Sequence, residues 1–152
     1  MVNLLGVLLA FVVVAAGQPA AKPNFSGEWK INVAKSNFGP LPPPSVMNRS
    51  IAHTEPALTI VEEQTSQLGD QKTTRKYVTD GSEITFDVQG MAVASSATWK
   101  EGVLLVVSRV DGAGLTFTDR MTLSPDGKSL TSLIHITSAQ GDIDITVVFD
   151  KQ

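Results

Sequence analysis

The sequence predicts an all-β domain, an antiparallel up-and-down meander of about ten strands closed into a barrel. Turn signals containing Gly divide its second half at short, nearly regular intervals. Between the turns, β-branched residues alternate with polar ones, most clearly over residues 143–149, so that one face of each strand is apolar. No stretch has the periodicity of a long helix.

Length and composition indicate one globular domain and exclude several classes of function. The 152 residues carry 12 basic and 15 acidic side chains, a net charge of −3, with 18% charged and 42% hydrophobic residues. The acidic balance argues against a nucleic-acid partner. Because there is no cysteine, disulfides, thiolate zinc sites and thiol nucleophiles are excluded.

The N-terminus predicts export. Residues 4–16 are apolar throughout, but this run is shorter than the roughly 20 residues that a membrane-spanning helix needs. Small residues follow it, which is typical of a secretory signal peptide over residues 1–17, cleaved near Gly17. The remaining domain, 18–152, is then secreted or periplasmic, with no stable membrane anchor. A buried N-terminal strand or helix is the alternative, since residues 1–3 contain no Lys or Arg.

Turn positions predict the register of the later strands, because a turn determines which residues face each other. Consecutive turns at 101–102, 111–114, 124–127 and 138–141 keep one continuous apolar face across five strands. The predicted facing pairs include Trp99 with Leu104, Val110 with Leu115, Met121 with Leu130, and Ile136 with Ile143.

The upstream strands extend this face. A two-residue turn at 80–81 places Tyr77 opposite Ile84, and the turn before it places Glu62 opposite Arg75. Ten antiparallel strands in sequence order exceed what an open twisted sheet usually keeps, and closure into a barrel removes the exposed edges. A two-sheet sandwich is the alternative, but its crossings need longer connections than these turns provide.

Residues 25–31 read Phe-Ser-Gly-Glu-Trp-Lys-Ile. This F-x-G-x-W-K motif resembles the first strand of the lipocalin and fatty-acid-binding-protein (calycin) superfamily. The resemblance implies a barrel with Trp29 as a plug at one end and a lipid ligand inside.

Two features of the sequence depart from this resemblance. Residues 39–44, rich in proline, must be extended where fatty-acid-binding proteins have a helical lid, and the R-x-Y clamp of the last strand is missing, although Arg75 and Tyr77 repeat its spacing elsewhere.

A polar group inside the barrel is the candidate ligand site. Period two places Arg75 and Tyr77 on the inner face, with Glu62 opposite and Arg49 on the strand before. A buried guanidinium beside a tyrosine hydroxyl would bind an anionic head group, while Trp99 and other apolar side chains line the remainder. A structural ion pair, at the barrel mouth or on a solvated face, is the alternative.

Asp119 interrupts an inward-facing apolar series that includes Phe117, so its carboxylate must be paired, hydrated or protonated. Ser132 is predicted opposite it as a hydrogen-bond partner. Asp119 is therefore either a satisfied buried carboxylate, a ligand contact or a general acid or base. On the outer face His135 is predicted opposite Asp144. Because no serine sits in a nucleophile elbow, this pair is interpreted as a surface contact.

The residues together predict an exported, non-enzymatic binding protein that holds a small apolar or amphiphilic ligand inside its barrel. The candidate ligand contacts are Glu62, Arg75, Tyr77, Trp99, Phe117 and Asp119. No cofactor or metal is expected, since the two histidines lie on different strands without zinc-ligand spacing. The alternative is a secreted β-domain with a filled core that acts as an interaction or structural module through its surface and its Pro-rich loop.

Overall fold

The computed structural model describes residue 17 and residues 20–152, so the predicted signal peptide, apart from Gly17, lies outside the described residues. Over 20–152 the chain forms ten strands and a single 3-10 turn of helix, and no helix in this range is long and apolar enough to span a membrane. The strands are β1 (Gly27–Ile31), β2 (Val46–Thr54), β3 (Ala57–Ser66), β4 (Gly69–Val78), β5 (Asp80–Val88), β6 (Met91–Lys100), β7 (Val103–Val110), β8 (Leu115–Leu123), β9 (Ser129–Ser138) and β10 (Gly141–Lys151). The helix is Val33–Lys35.

The ten strands form one antiparallel sheet in the order β4-β3-β2-β1-β10-β9-β8-β7-β6-β5. Sequence neighbours pair throughout, with one exception, and the first strand pairs with the last. The sheet curls into a nearly closed barrel, which confirms the predicted all-β meander. The exception is the gap between β4 and β5, where no ladder forms among the described residues. The predicted pairing of Tyr77 with Ile84 across a hairpin at 80–81 is therefore wrong.

At this gap, Thr79 connects the β4–β5 corner to the β2–β3 turn. Its backbone N–H donates to the Pro56 carbonyl at 2.8 Å and its hydroxyl donates to Glu55 Oε1 at 2.9 Å. Strand β5 lies at one edge of the sheet and, among the described strands, pairs only with β6. The rings of Tyr77 and Phe86 meet edge to face across the gap, with centroids 5.9 Å apart. Side-chain packing therefore closes the barrel where hydrogen bonds do not.

The predicted register is confirmed in three hairpins. Trp99 faces Leu104 and Val110 faces Leu115. Ile136 faces Ile143 on the last pair of strands. In each of these hairpins the tight turn fell where the glycines indicated it, so local turn chemistry was sufficient to set the pairing.

Two other hairpins are offset by two residues from the prediction. Arg75 faces Ile60 rather than Glu62, because β3 and β4 turn on residues 67–68. Met121 faces Ser132 rather than Leu130, because the loop lies at 125–128, one residue later than the predicted turn at 124–127. An even shift leaves every side chain on its predicted face and changes only the facing partner.

One end of the barrel is filled by aromatic rings, and we call it the closed end. Phe25 and Trp29 are fully buried there, and the Trp29 indole Nε1–H donates to the Phe25 carbonyl at 2.9 Å. The Phe25 ring stacks on Trp99 with centroids 5.8 Å apart. At Gly27, whose φ is +140°, an added Cβ would lie 2.9 Å from the Lys151 side chain. The motif glycine thus permits the close approach of the first and last strands.

The connection between β1 and β2 lies against the last strand. Asn37 and Thr146 exchange backbone hydrogen bonds of 2.7 Å. Residues 39–45 contain no helix, as their prolines predict. This stretch therefore differs from a helix-turn-helix lid.

Candidate functional site

The half of the barrel away from the closed end encloses a cavity of about 280 Å³. It reaches the hairpins that join β5 to β6 and β7 to β8. This volume is close to the lower end of the roughly 300–1,000 Å³ that is usual for small-molecule pockets. The lining side chains are Arg49, Ile60, Thr73, Arg75, Tyr77, Phe86, Val88, Met91, Val93, Val106, Ser108, Val110, Leu115, Phe117, Asp119, Met121 and Ile134. The β1–β2 connection contributes no lining residue within the described chain.

The structure brings four of the six predicted ligand contacts to this cavity. Arg75, Tyr77, Phe117 and Asp119 line it. The other two do not. Glu62 pairs with Arg75 in the wall, and Trp99 lies at the closed end, where its indole Nε1–H donates to Glu55 Oε1 at 2.9 Å. Strand periodicity predicts which face a side chain takes but not its depth along the barrel.

Arg49 organises a buried group that we call the polar cluster: Arg49, Glu62, Arg75, Asp119 and Ser132. The Arg49 side chain is 4% exposed, and its Nε–H donates to Glu62 Oε2 at 2.5 Å. Its Nη1–H donates to the Ser132 hydroxyl at 3.1 Å, and that hydroxyl donates to Asp119 Oδ2 at 3.1 Å. Arg75 Nη2–H donates to the same Glu62 oxygen at 3.1 Å. The predicted contacts Arg75–Glu62 and Ser132–Asp119 thus form diagonally across the shifted registers.

The two carboxylates of the polar cluster titrate differently. Burial by itself would raise the pKa of Glu62, but Arg49 and Arg75 outweigh it and lower that pKa to about 2. Burial dominates at Asp119 and raises its pKa to about 6, against the opposing effect of the same two arginines and of Ser132. Glu62 is therefore a permanent counter-ion, whereas Asp119 exchanges its proton near neutral pH.

Two atoms of the polar cluster are buried without a hydrogen-bond partner among the described residues. They are Arg75 Nε, a donor, and Asp119 Oδ1, an acceptor. An unsatisfied buried polar atom costs about 1–3 kcal/mol. The Tyr77 side chain lies beside them, and burial raises the pKa of its phenol, which keeps the hydroxyl protonated. The cavity wall therefore combines an apolar surface with a small number of underused polar groups.

A second polar group lies at the closed end and has a structural role. Glu55 accepts hydrogen bonds from Lys22, His53, Thr79 and Trp99. Burial would raise the pKa of Glu55, but these four donors lower it to about 2. The Phe25 backbone N–H donates to His53 Nδ1 at 3.2 Å, so His53 carries its proton on Nε2. In the described part of the chain no three His, Asp or Glu side chains converge as metal ligands.

His135 lies on the outer face, away from the cavity. Its Nδ1 is 2.7 Å from Asp144 Oδ1, and this contact raises the pKa of the imidazole. Both side chains are solvent-accessible. The predicted surface pair is confirmed.

No protein-family model matches the chain, and no curated protein matches its sequence. Solved structures do match it in three dimensions. A SAHS protein from Ramazzottius varieornatus, 14% identical, superposes with a TM-score of 0.66 over 90% of this chain and 100% of its own. The zebrafish ileal bile acid-binding protein complexed with cholic acid (15% identity, TM-score 0.60) covers 84% of this chain and 98% of its own. Fatty-acid-binding protein 1 of Echinococcus granulosus (15% identity, TM-score 0.58) covers 84% and 96%.

The chain has a lipocalin-like barrel fold. The resemblance drawn from residues 25–31 is confirmed at the level of fold, which is what a likeness at this identity establishes. In this barrel the charged residues that line the cavity, Arg49, Arg75 and Asp119, come from β2, β4 and β8.

The sequence carried a signal for the central place of Arg49. In β2 the residues Met47, Arg49, Ile51 and His53 alternate with exposed ones, and all four are buried. A charged residue in an otherwise buried alternation requires a partner. What the pattern could not supply was the contact of Arg49 with Ser132, which lies 83 positions along the chain.

Proposed function

We propose that the protein is exported and carries a small lipophilic or amphiphilic molecule in its barrel without transforming it. The observation that carries this proposal is the cavity of about 280 Å³, whose wall is largely apolar apart from the polar cluster on one side. Pockets that bind small molecules combine these two properties, because apolar area supplies affinity and a few polar groups supply orientation.

The names of two of the solved structures support a binding role. Those most similar in fold include a bile acid-binding protein and a fatty-acid-binding protein. Their ligands belong to them, and the proposal takes from them only the class of partner, a small lipophilic molecule. A cavity of this size suits one short chain or one compact ring system.

The polar cluster also supports binding rather than catalysis. Arg49, Glu62 and Ser132 are committed to one another by hydrogen bonds of 2.5–3.1 Å. Asp119 is the one carboxylate among the described lining residues, and the hydroxyl beside it belongs to Ser132. That hydroxyl is fully buried, accepts a hydrogen bond from Arg49 and does not line the cavity, so it is not placed to attack a bound molecule.

A matched pair of tryptophan substitutions tests the cavity. Ile134→Trp directs a large ring into the cavity from β9, whereas Leu133→Trp puts the same ring on the exposed outer face of that strand. We expect a lipophilic fluorescent probe, such as 1-anilinonaphthalene-8-sulfonate, to bind the native protein and Leu133→Trp alike. Ile134→Trp should weaken that binding at least tenfold while circular dichroism reports an intact sheet. Equal binding by both variants would place the probe elsewhere and contradict the proposal.

Native mass spectrometry of protein isolated from its own host identifies the ligand. We expect a co-purifying small molecule in the native protein and in Leu133→Trp, and its loss in Ile134→Trp. N-terminal sequencing of the same material tests export: a mature chain that begins close to residue 18 is expected. A chain that retains Met1 and stays in the cytosol would contradict export while leaving the binding proposal in place.

A further inference from the structure

We infer that the cavity selects an amphiphile with an uncharged head group that both donates and accepts a hydrogen bond, such as a primary amide, and that an anionic head group enters only together with a proton. The inference rests on the proposed function, since it specifies the ligand class of the same cavity. It replaces the anionic head group that Arg75 and Tyr77 predict from the sequence.

The polar cluster contains equal numbers of basic and acidic side chains. Two guanidinium groups, Arg49 and Arg75, face two carboxylates, Glu62 and Asp119. With both acids ionised the buried charges sum to zero. A carboxylate ligand would leave the cluster with an uncompensated negative charge in a site of low dielectric, where charge imbalance is costly. An uncharged head group preserves the balance.

Two polar atoms of the cluster lack hydrogen-bond partners among the described residues. Arg75 and Asp119 both border the cavity, and each keeps one buried atom without a partner: a donor, Nε, and an acceptor, Oδ1. A head group that displaces the wall side chains enough to reach these two atoms would recover this lost hydrogen bonding if it offers one acceptor and one donor. A primary amide provides both, while a carboxylate provides only acceptors.

Among the described residues, few titratable or charged groups surround Asp119. They are Arg49, Glu62 and Arg75, with the Tyr77 phenol beside them. The neighbouring strands β7 and β9 place Ser108 and Ile134 in the cavity lining and Ser132 against Asp119, and β5 and β6 contribute apolar side chains to the same cavity. Protonation of Asp119 is therefore the local route by which the cluster gains the positive charge that an anion requires.

Octanoic acid and octanamide, which share the length of their chains, test the inference when they are titrated calorimetrically into the native protein at pH 5.5 and pH 8. We expect the dissociation constant of octanamide to change by less than twofold. That of octanoate should weaken by about 80-fold at pH 8, since the protonated fraction of a group with a pKa of about 6 falls by roughly that factor. Titrations in two buffers of different ionisation enthalpy should show uptake of about one proton per octanoate at pH 8, and none for octanamide.

Asp119→Asn supplies the matched test of mechanism, because it makes the cluster permanently cationic. We expect this variant to bind octanoate at pH 8 as tightly as the native protein does at pH 5.5, with no proton uptake. Asp111→Asn removes the same charge from an exposed loop and should behave as the native protein does. If Asp119→Asn does not fold, the pH dependence of octanoate binding to the native protein still tests the inference.

Three results would overturn the inference. Octanoate binding that is independent of pH and at least as tight as octanamide binding at pH 8 would show that the cluster tolerates an anion. Octylamine binding more tightly than octanamide would show that Asp119 selects a cation. Both results would leave the proposed function intact. Failure of the acid, the amide, the amine and the lipophilic probe alike would overturn the proposed function together with this inference.

Discussion

The two halves of the barrel use one sheet for different purposes. At the closed end, Phe25, Trp29 and Trp99 stack into a filled core, and Glu55 receives four hydrogen-bond donors. In the cavity half, the same strands carry smaller or partly exposed side chains around an incompletely satisfied polar cluster. We infer from this difference that contacts at the closed end contribute most of the stability of the barrel. The other end keeps the unfilled volume and the unpartnered atoms that a ligand can use.

Truncation of one large ring in each half tests this comparison most strongly. Trp29→Ala removes a fully buried ring and should lower the free energy of unfolding by about 3–5 kcal/mol. Phe117→Ala removes a ring that already borders open space, and we expect a loss of roughly 1–2 kcal/mol. Urea unfolding followed by circular dichroism measures both. Equal losses would show that stability is spread evenly.

Glu62→Gln tests whether the polar cluster also supports the cavity half. It leaves Arg49 and Arg75 without their shared counter-ion, which should cost about 3 kcal/mol at pH 7. Because the pKa of Glu62 is about 2 when folded and near 4.5 otherwise, this contribution is present above pH 4.5 and is lost as the pH falls towards 2. Unfolding curves of the native protein and the variant should therefore converge at low pH.

Glu63→Gln is the matched control for that experiment. Glu63 is the exposed neighbour of Glu62 on β3, and its partner Lys72 is also exposed. We expect a change within about 0.5 kcal/mol at every pH, since exposed ion pairs contribute little. A Glu62→Gln effect no larger than this would mean that the cluster contributes nothing to stability.

Asp119→Asn tests a pH dependence of stability that is opposite in sign to that of Glu62. The pKa of Asp119 is raised to about 6 in the folded protein from 3.8, so its contribution is present below pH 3.8 and is lost as the pH rises through 6. The native protein should therefore become more stable as the pH falls from 8 towards 5. Replacing the acid with a neutral amide should remove this dependence and stabilise the protein by about 2 kcal/mol at pH 8. A steeper dependence in the variant would contradict the assignment.

Glu55→Gln is expected to have the smallest effect. Glu55 accepts four hydrogen bonds, but about a third of its side chain is exposed, and Gln can still accept some of them. We expect a loss of about 1 kcal/mol, measured by urea unfolding at pH 7. A loss as large as that of Glu62→Gln would show that the two polar groups are equally important to the fold.

Much of the fold and part of the site could be predicted before the structure. The inward faces of β4 and β6–β10 follow from alternation, and the glycine turns set three registers. Four of the predicted ligand contacts, Arg75, Tyr77, Phe117 and Asp119, line the candidate cavity because they share the inward face. Trp99 also faces inward, yet it packs at the closed end, because depth along the barrel depends on how far each strand is staggered against its neighbours.

The alternating pattern by itself determined which residues enter the barrel, because period two is a local property of an extended chain. Three features were decided only by the tertiary structure: the gap between β4 and β5, the two offset hairpins, and the contacts of Arg49 with residues far along the chain. Each of them depends on a long-range constraint, such as the tie from Thr79 to the β2–β3 turn or the closure of β1 on β10.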